Sequence, residues 1–176
     1  MTTNTTTKKT TSRTRKTPAK ATTQSKETKK LPPNPFMNEI LDLVHEQETD
    51  EDKVKILQQY ANDALKTLLI WNFDESIISL LPTGEVPYQP NESPLGVDHS
   101  SLRRDYKNLY NFVKGGNDSL SKIRRETIFI QILESLHPNE AEVLILVKDK
   151  NLEDKYDISF DVVKQAYPDI VWGNRS

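Results

Sequence analysis

The stretch 49–73, TDEDKVKILQQYANDALKTLLIWNF, decides how the chain folds. Its apolar residues Val54, Leu57, Ala61, Ala64, Leu65 and Leu68 recur at the i, i+3, i+4, i+7 spacing of an amphipathic helix. Thr49 to Asp52 open it with an acidic first turn that suits the positive end of the helix dipole. The small residues Ala61 and Ala64 invite close approach by another helix. Leu68 to Phe73 is apolar nearly all round and therefore belongs in a core. The spacing predicts one helix through this region and a mostly α-helical fold around it.

Working outward, Phe36, Ile40, Leu43 and Val44 repeat at helical spacing, with Asn34 and Pro35 suited to the N-cap and first helical positions. Downstream, Asp74 reads as the N-cap of a short helix through Leu81. Residues 82–97 carry Pro82, Pro87, Pro90 and Pro94 among Gly84 and Gly96, so they form a Pro-rich loop long enough to be functional or mobile. Ser100 or Ser101 caps a further helix bearing Leu102, Tyr106, Leu109 and Val113, which Gly115-Gly116-Asn117 ends. Asp118 or Ser119 caps the next, whose broad apolar face (Ile128, Phe129, Ile132, Leu133, Leu136) predicts the central core helix. Pro138 opens another, with Glu140 and Glu142 in its first turns. Residues 143–147 are apolar on every side, which fits a buried strand as well as a helix, but the Pro-Asn-Glu-Ala-Glu start favours helix. A last helix runs from Ser159 to Tyr167 and stops at Pro168. The expectation is a mostly α fold: a single helical domain of about six or seven helices over residues 36–176, preceded by a disordered tail over 1–35.

The near-neutral formal charge of −2 conceals two opposite halves. Residues 1–35 hold nine basic groups (Lys8, Lys9, Arg13, Arg15, Lys16, Lys20, Lys26, Lys29 and Lys30) against Glu27 alone, a net +8, and the remaining residues carry −10. The tail is rich in Thr and Lys and nearly free of apolar side chains. It cannot offset roughly 1–2 kcal/mol of backbone entropy per ordered residue. Leu31-Pro32-Pro33-Asn34-Pro35 reads as a stiff spacer. There is no cysteine, which excludes disulfides and thiolate chemistry. No apolar run approaches the ~20 residues that span a bilayer, and the N-terminus lacks the apolar core of a secretory signal. It faintly resembles a transit peptide, but residues 1–30 contain no Leu, Ile, Val, Phe or Trp to form an amphipathic helix.

Such a tail binds phosphates by charge and counterion release without reading sequence. It has no aromatic residue, so base stacking has no support there. The plain alternative is a solubilising tail. A second basic stretch spans 103–125, with seven basic residues against Asp105 and Asp118. On an α-helix Arg103, Lys107 and Lys114 share one face, bordered by Tyr110. This face could meet phosphate or an acidic partner, or it could neutralise the acidic residues of 36–102. Arg125, in line with Ile128, Phe129 and Ile132, reads as a rim residue or a paired ion. His45, His99 and His137 have no metal-ligand spacing. Ser100 and Ser101 beside His99 are better explained by capping than by a triad. Gly115-Gly116 lacks the Lys and Ser/Thr of a phosphate loop. No catalytic residues, metal site or cofactor are expected.

Three stretches carry a resemblance: Leu80-Leu81-Pro82-Thr83-Gly84-Glu85-Val86-Pro87-Tyr88, Phe112-Val113-Lys114-Gly115-Gly116-Asn117-Asp118-Ser119-Leu120, and Leu133 to Glu142 followed by Val147-Lys148-Asp149-Lys150. Over roughly 37–172 the chain resembles an uncharacterised protein family of T-even-type tailed phages of marine bacteria. The resemblance implies a setting in the infected bacterial cytoplasm or the virion, and it brings no catalytic residues. The combined expectation is a non-enzymatic phage accessory protein. Its helical domain would dock on a phage or host protein, its tail would add non-specific nucleic-acid affinity, and no membrane would be involved. The alternatives are a minor virion or assembly component, and an enzyme of scattered site residues with the 82–97 loop as lid. Oligomeric state stays open.

Overall fold

A computed structural model describes Met1 and residues 29–175. The predicted disorder of the tail falls mostly outside them. The first helix, α1, is Met37–His45. It starts two residues later than Asn34 and Pro35 suggest, because Phe36 is the extended cap residue and its N–H is taken by Glu39 Oε2 at 2.8 Å. Leu31 already touches the domain: its N–H donates to the Tyr60 hydroxyl at 3.1 Å.

The stretch 49–73 forms two helices rather than one, α2 (Asp50–Gln59) and α3 (Asp63–Phe73). The break has a local cause. Asn62 adopts an extended conformation and its side-chain oxygen accepts from the Leu65 N–H at 2.9 Å, which caps α3. Ala61 lies exposed at the break and seats no neighbouring helix. The helix expected from Asp74 to Leu81 is absent. Asp74 instead ends α3, and residues 78–80 run extended beside 112–114, with Leu80 N–H on Phe112 O (2.8 Å) and Lys114 N–H on Ile78 O (2.9 Å).

The Pro-rich loop is followed by one α-helical turn, α4 (Leu102–Asp105), then a 3-10 helix (Tyr106–Phe112), α5 (Lys122–Ser135) and α6 (Pro138–Lys148). Residues 143–147 are helical, as the helix-start signal indicates. The chain closes with α7 (Leu152–Tyr156), too short to show a period, and α8 (Phe160–Ala166) capped by Ser159. Among the described residues there are eight α-helices, the 3-10 helix and no strand beyond two isolated bridges. The mostly α expectation holds.

The central helix is α6, not α5. It touches α1, α3, α5 and α7 and buries Ala141, Val143, Leu144 and Val147. An aromatic run joins its neighbours: Trp71 stacks on Phe112 at 6.3 Å, and Phe112 meets Phe129 edge-on at 5.1 Å. Both ends of α6 carry buried charge. Glu140, 0% exposed, accepts the Met37 N–H and the Leu102 N–H at 2.9 Å each, so one carboxylate holds the starts of α1 and α4. Lys148 donates to Pro82 O (2.7 Å), Gly84 O (3.1 Å) and Asp149, which ties down the start of the Pro-rich loop. Burial pushes the Glu140 carboxyl up, against the opposing pull of its two N–H donors.

The C-terminus returns to α3. Asp74, buried at its end, accepts from Ser76 (N–H and hydroxyl), Gly173 N–H and Arg175 Nη1. Burial works to raise its carboxyl, but these donors outweigh it and hold the group below its ordinary range.

Two stability measurements follow. Glu140→Gln keeps the side chain's size but leaves one oxygen for two N–H donors. It should lower unfolding stability in urea by about 1–3 kcal/mol, and an unchanged midpoint would show that the carboxylate does not hold the two helices. Asp74, lowered in the fold, contributes stability that is full above the unfolded value near 3.8 and is lost as pH falls through the folded value. Asp74→Asn should therefore be less stable at neutral pH and should flatten the acid limb of stability against pH.

Candidate nucleic-acid interface

The basic hairpin does not present the face expected of an α-helix. A 3-10 helix has three residues per turn, so residues three apart align in rows. Tyr106, Leu109 and Phe112 form the inward row, with Leu109 and Phe112 buried. Asp105, Asn108 and Asn111 form a polar row. Arg104, Lys107 and Tyr110 form the third, and all three are exposed. Of the expected trio Arg103, Lys107 and Lys114, only Lys107 lies on this row. Arg103 turns inward, half-buried, and its Nη2 donates to Pro35 O at 3.1 Å. Lys114 follows the helix end, exposed, in the extended pairing with Ile78. Against the face expected of an α-helix, Arg103 is lost, Arg104 is gained, and the bordering Tyr110 joins the row itself.

Two residues after the 3-10 helix hold it in this form. Gly115 has φ +81°, which suits glycine. At Gly116 a Cβ would lie 1.9 Å from the Tyr110 carbonyl oxygen, so only glycine allows the turn to close on the helix. Arg125 is neither at a rim nor paired with an acid. It is 6% exposed, and its guanidinium donates to Asn111 O (2.8 Å), Asn117 O (3.1 Å) and Leu120 O (3.0 Å). It thereby clamps the 3-10 helix, the glycine turn and the approach to α5. Ser121, rather than Asp118 or Ser119, caps α5, and Asp118 instead accepts the Gly115 N–H.

The cations here are largely unpaired. Among the described residues, the only carboxylate within ion-pair reach of the seven basic residues of 103–125 is Glu126, 3.9 Å from Lys122. The domain's other ion pairs lie elsewhere, as in Lys53–Asp157, Lys66–Asp169 and Lys155–Glu142. Direct pairing with the acidic residues of 36–102 is therefore not what these cations do. The first turn of α5 adds Lys122 and Arg124, both exposed, and holds no acidic residue of its own. Positive side chains at the positive end of a helix are unfavourable, so this arrangement costs stability locally.

Beside the exposed row lies an open cleft of about 330 Å³, between α3, the segment after it and the 3-10 helix. Trp71, Ile77, Tyr106 and Tyr110 give it an aromatic and aliphatic lining, and Lys107 and Arg175 are its charged members. A smaller hollow of about 120 Å³ lies under the Pro-rich loop, among Leu81, Val86, Phe129 and Lys148.

Of the tail residues expected to contact nucleic acid, Lys8, Lys9, Arg13, Arg15, Lys16, Lys20 and Lys26 lie outside the described residues. Lys29 and Lys30 are exposed and share a hollow with Glu39, Asp42 and Glu46 of α1.

The histidine cluster is structural. His99 Nε2 accepts the Gly96 N–H at 2.7 Å, which leaves Nδ1–H to donate to Ser100 O at 3.1 Å. The Ser100 hydroxyl donates to Asp105 at 2.6 Å, so no histidine is placed to deprotonate it. Ser101 is the cap residue of α4 but makes no side-chain cap bond; Glu140 takes that role. His137 caps α6 and lies 5.5 Å from the His99 ring; burial first, then His99, lowers its pKa.

Gly116→Ala should displace the turn from Tyr110 and lower stability by roughly 1–3 kcal/mol. Urea unfolding checks this, and a neutral substitution would mean that the turn does not fix the exposed row.

Neither the curated proteins nor the solved structures contain a match to this chain. A family model does match, over residues 40–154, which takes in the central helix, the Pro-rich loop and the basic hairpin. The chain belongs to this family of unknown function, DUF6433.

Proposed function

We propose that this is a non-enzymatic accessory protein that binds nucleic acid through charge and docks on a phage or host protein, in the infected bacterial cytoplasm or in the virion. The observation that carries the reading is the set of exposed, unpaired cations Arg104, Lys107, Lys114 and Arg124 on a domain whose other cations are mostly paired. A solvated cation without an acid partner is the group that gains most from a phosphate, because binding releases condensed counterions. The net +8 of residues 1–35 adds affinity of the same sequence-independent kind. The −10 elsewhere repels the backbone from the other faces, so contact is confined to the tail and the hairpin. The phage setting rests on the three sequence stretches that resemble a phage family. Among the described residues no helix is long and apolar enough to cross a membrane.

Titrating the full chain onto DNA at several salt concentrations tests the reading. Affinity should fall steeply with salt. Combining Arg104→Ala, Lys107→Ala, Lys114→Ala and Arg124→Ala should weaken binding uniformly across sequences and reduce the log–log salt slope by about 1 for each lost phosphate contact. Binding that ignores salt, or a full chain that retains no DNA, would sink the proposal.

A further inference from the structure

The cleft beside the exposed row offers more than charge. No carboxylate lines it. Its nearest acids are engaged: Asp63 accepts from the Tyr106 hydroxyl at 3.5 Å, and Asp74 pairs with Arg175 at 2.7 Å. Arg175 commits Nη1 to Asp74 and to Val171 O, and its other guanidinium nitrogens have no partner among the described residues. Lys107 therefore brings positive charge to an otherwise apolar, aromatic recess, and Arg175, its charge matched by Asp74, adds free N–H donors there. Tyr110, 52% exposed, belongs both to the cleft and to the row of cations. At about 330 Å³ the space lies at the small end of ligand pockets, enough for one ring system and too little for a docked helix.

Flat apolar walls with cations at the margin match the chemistry of a nucleotide: a π-face to stack and phosphates on either side. A duplex hides its base faces, so this recess selects an unstacked base. We infer that the cleft takes a base of a single-stranded nucleic acid, with Tyr110 as its stacking platform and Lys107 and Arg175 receiving the flanking phosphates. This rests on the nucleic-acid reading above but separates from it, since free cations bind any phosphate chain whereas the cleft requires a base. It also supplies the aromatic surface that the tail lacks.

The experiment uses the full chain and three probes of equal charge: an oligothymidine strand, an abasic deoxyribose-phosphate strand of the same length, and a duplex. Fluorescence anisotropy should show the oligothymidine bound more tightly than the abasic strand by roughly fivefold or more. Tyr110→Ala should erase that preference and Tyr110→Trp should keep it. Among the described residues the Tyr110 side chain makes no hydrogen bond and only its backbone meets Gly116, so the fold tolerates both variants. Lys107→Ala should weaken all three probes. Equal affinity for the thymidine and abasic strands, or a preference untouched by Tyr110→Ala, overturns the base site and leaves the charge-based reading standing. No binding to any probe overturns both.

Discussion

The structure depends on one buried carboxylate. Glu140 lies in the first turn of α6 and accepts N–H groups from the starts of α1 and α4, which are 103 and 38 residues away in sequence. Helix starts carry unsatisfied donors and partial positive charge. A carboxylate placed between two of them satisfies both, which offsets part of its desolvation, where an apolar side chain would leave both donors unsatisfied. Arg103 strengthens the same junction by donating to Pro35 O just ahead of α1. The consequence reaches the surface. Fixing the start of α4 orients Arg103 and Arg104 within it and sets where the 3-10 helix carrying Lys107 begins.

Much of this was legible in the sequence wherever local signals agreed with one another. Pro138 and its acidic turn identified α6 despite a segment apolar on all sides, and Ser159 and Pro168 bracketed α8. Reading failed where a side chain competed with the periodic pattern. Asn62 sits in the middle of an apparently continuous stripe, and its cap bond to Leu65 splits that stripe into two helices. Asp74 looks like the start of a helix because Asp favours caps, yet its carboxylate is committed to Ser76, Gly173 and Arg175. Those last two partners are about a hundred residues away, so nothing local announces them.

The candidate surface shows the same division. Composition marks 103–125 as basic whatever its conformation, and Lys107 stays exposed under either period. Tyr110 borders the basic face under either period, whereas Arg104 joins Lys107 only once the helix is known to be 3-10. That choice is made by Gly116 against the Tyr110 carbonyl and by Arg125 against three carbonyls. A sequence pattern of side chains does not reveal a clamp whose acceptors are all backbone.

Arg125 also separates the basic residues that build the fold from those that do not. It is buried, and its guanidinium donates to three backbone carbonyls around a tight turn. Lys122 and Arg124, its neighbours on α5, satisfy nothing comparable: Arg124 has no side-chain partner among the described residues, and the pair crowds the positive end of a helix. Local rules favour Asp or Glu there, and α2 and α6 obey them with Asp50 to Asp52 and Glu140. A chain that places acids at the starts of α1, α2, α3, α6, α7 and α8 but none at the start of α5, beside an exposed row of further cations, departs there from its own pattern. Such departures from local consistency concentrate where a surface serves a partner rather than the fold. Here the missing complement is negative charge, which is what the proposed phosphate partner would bring.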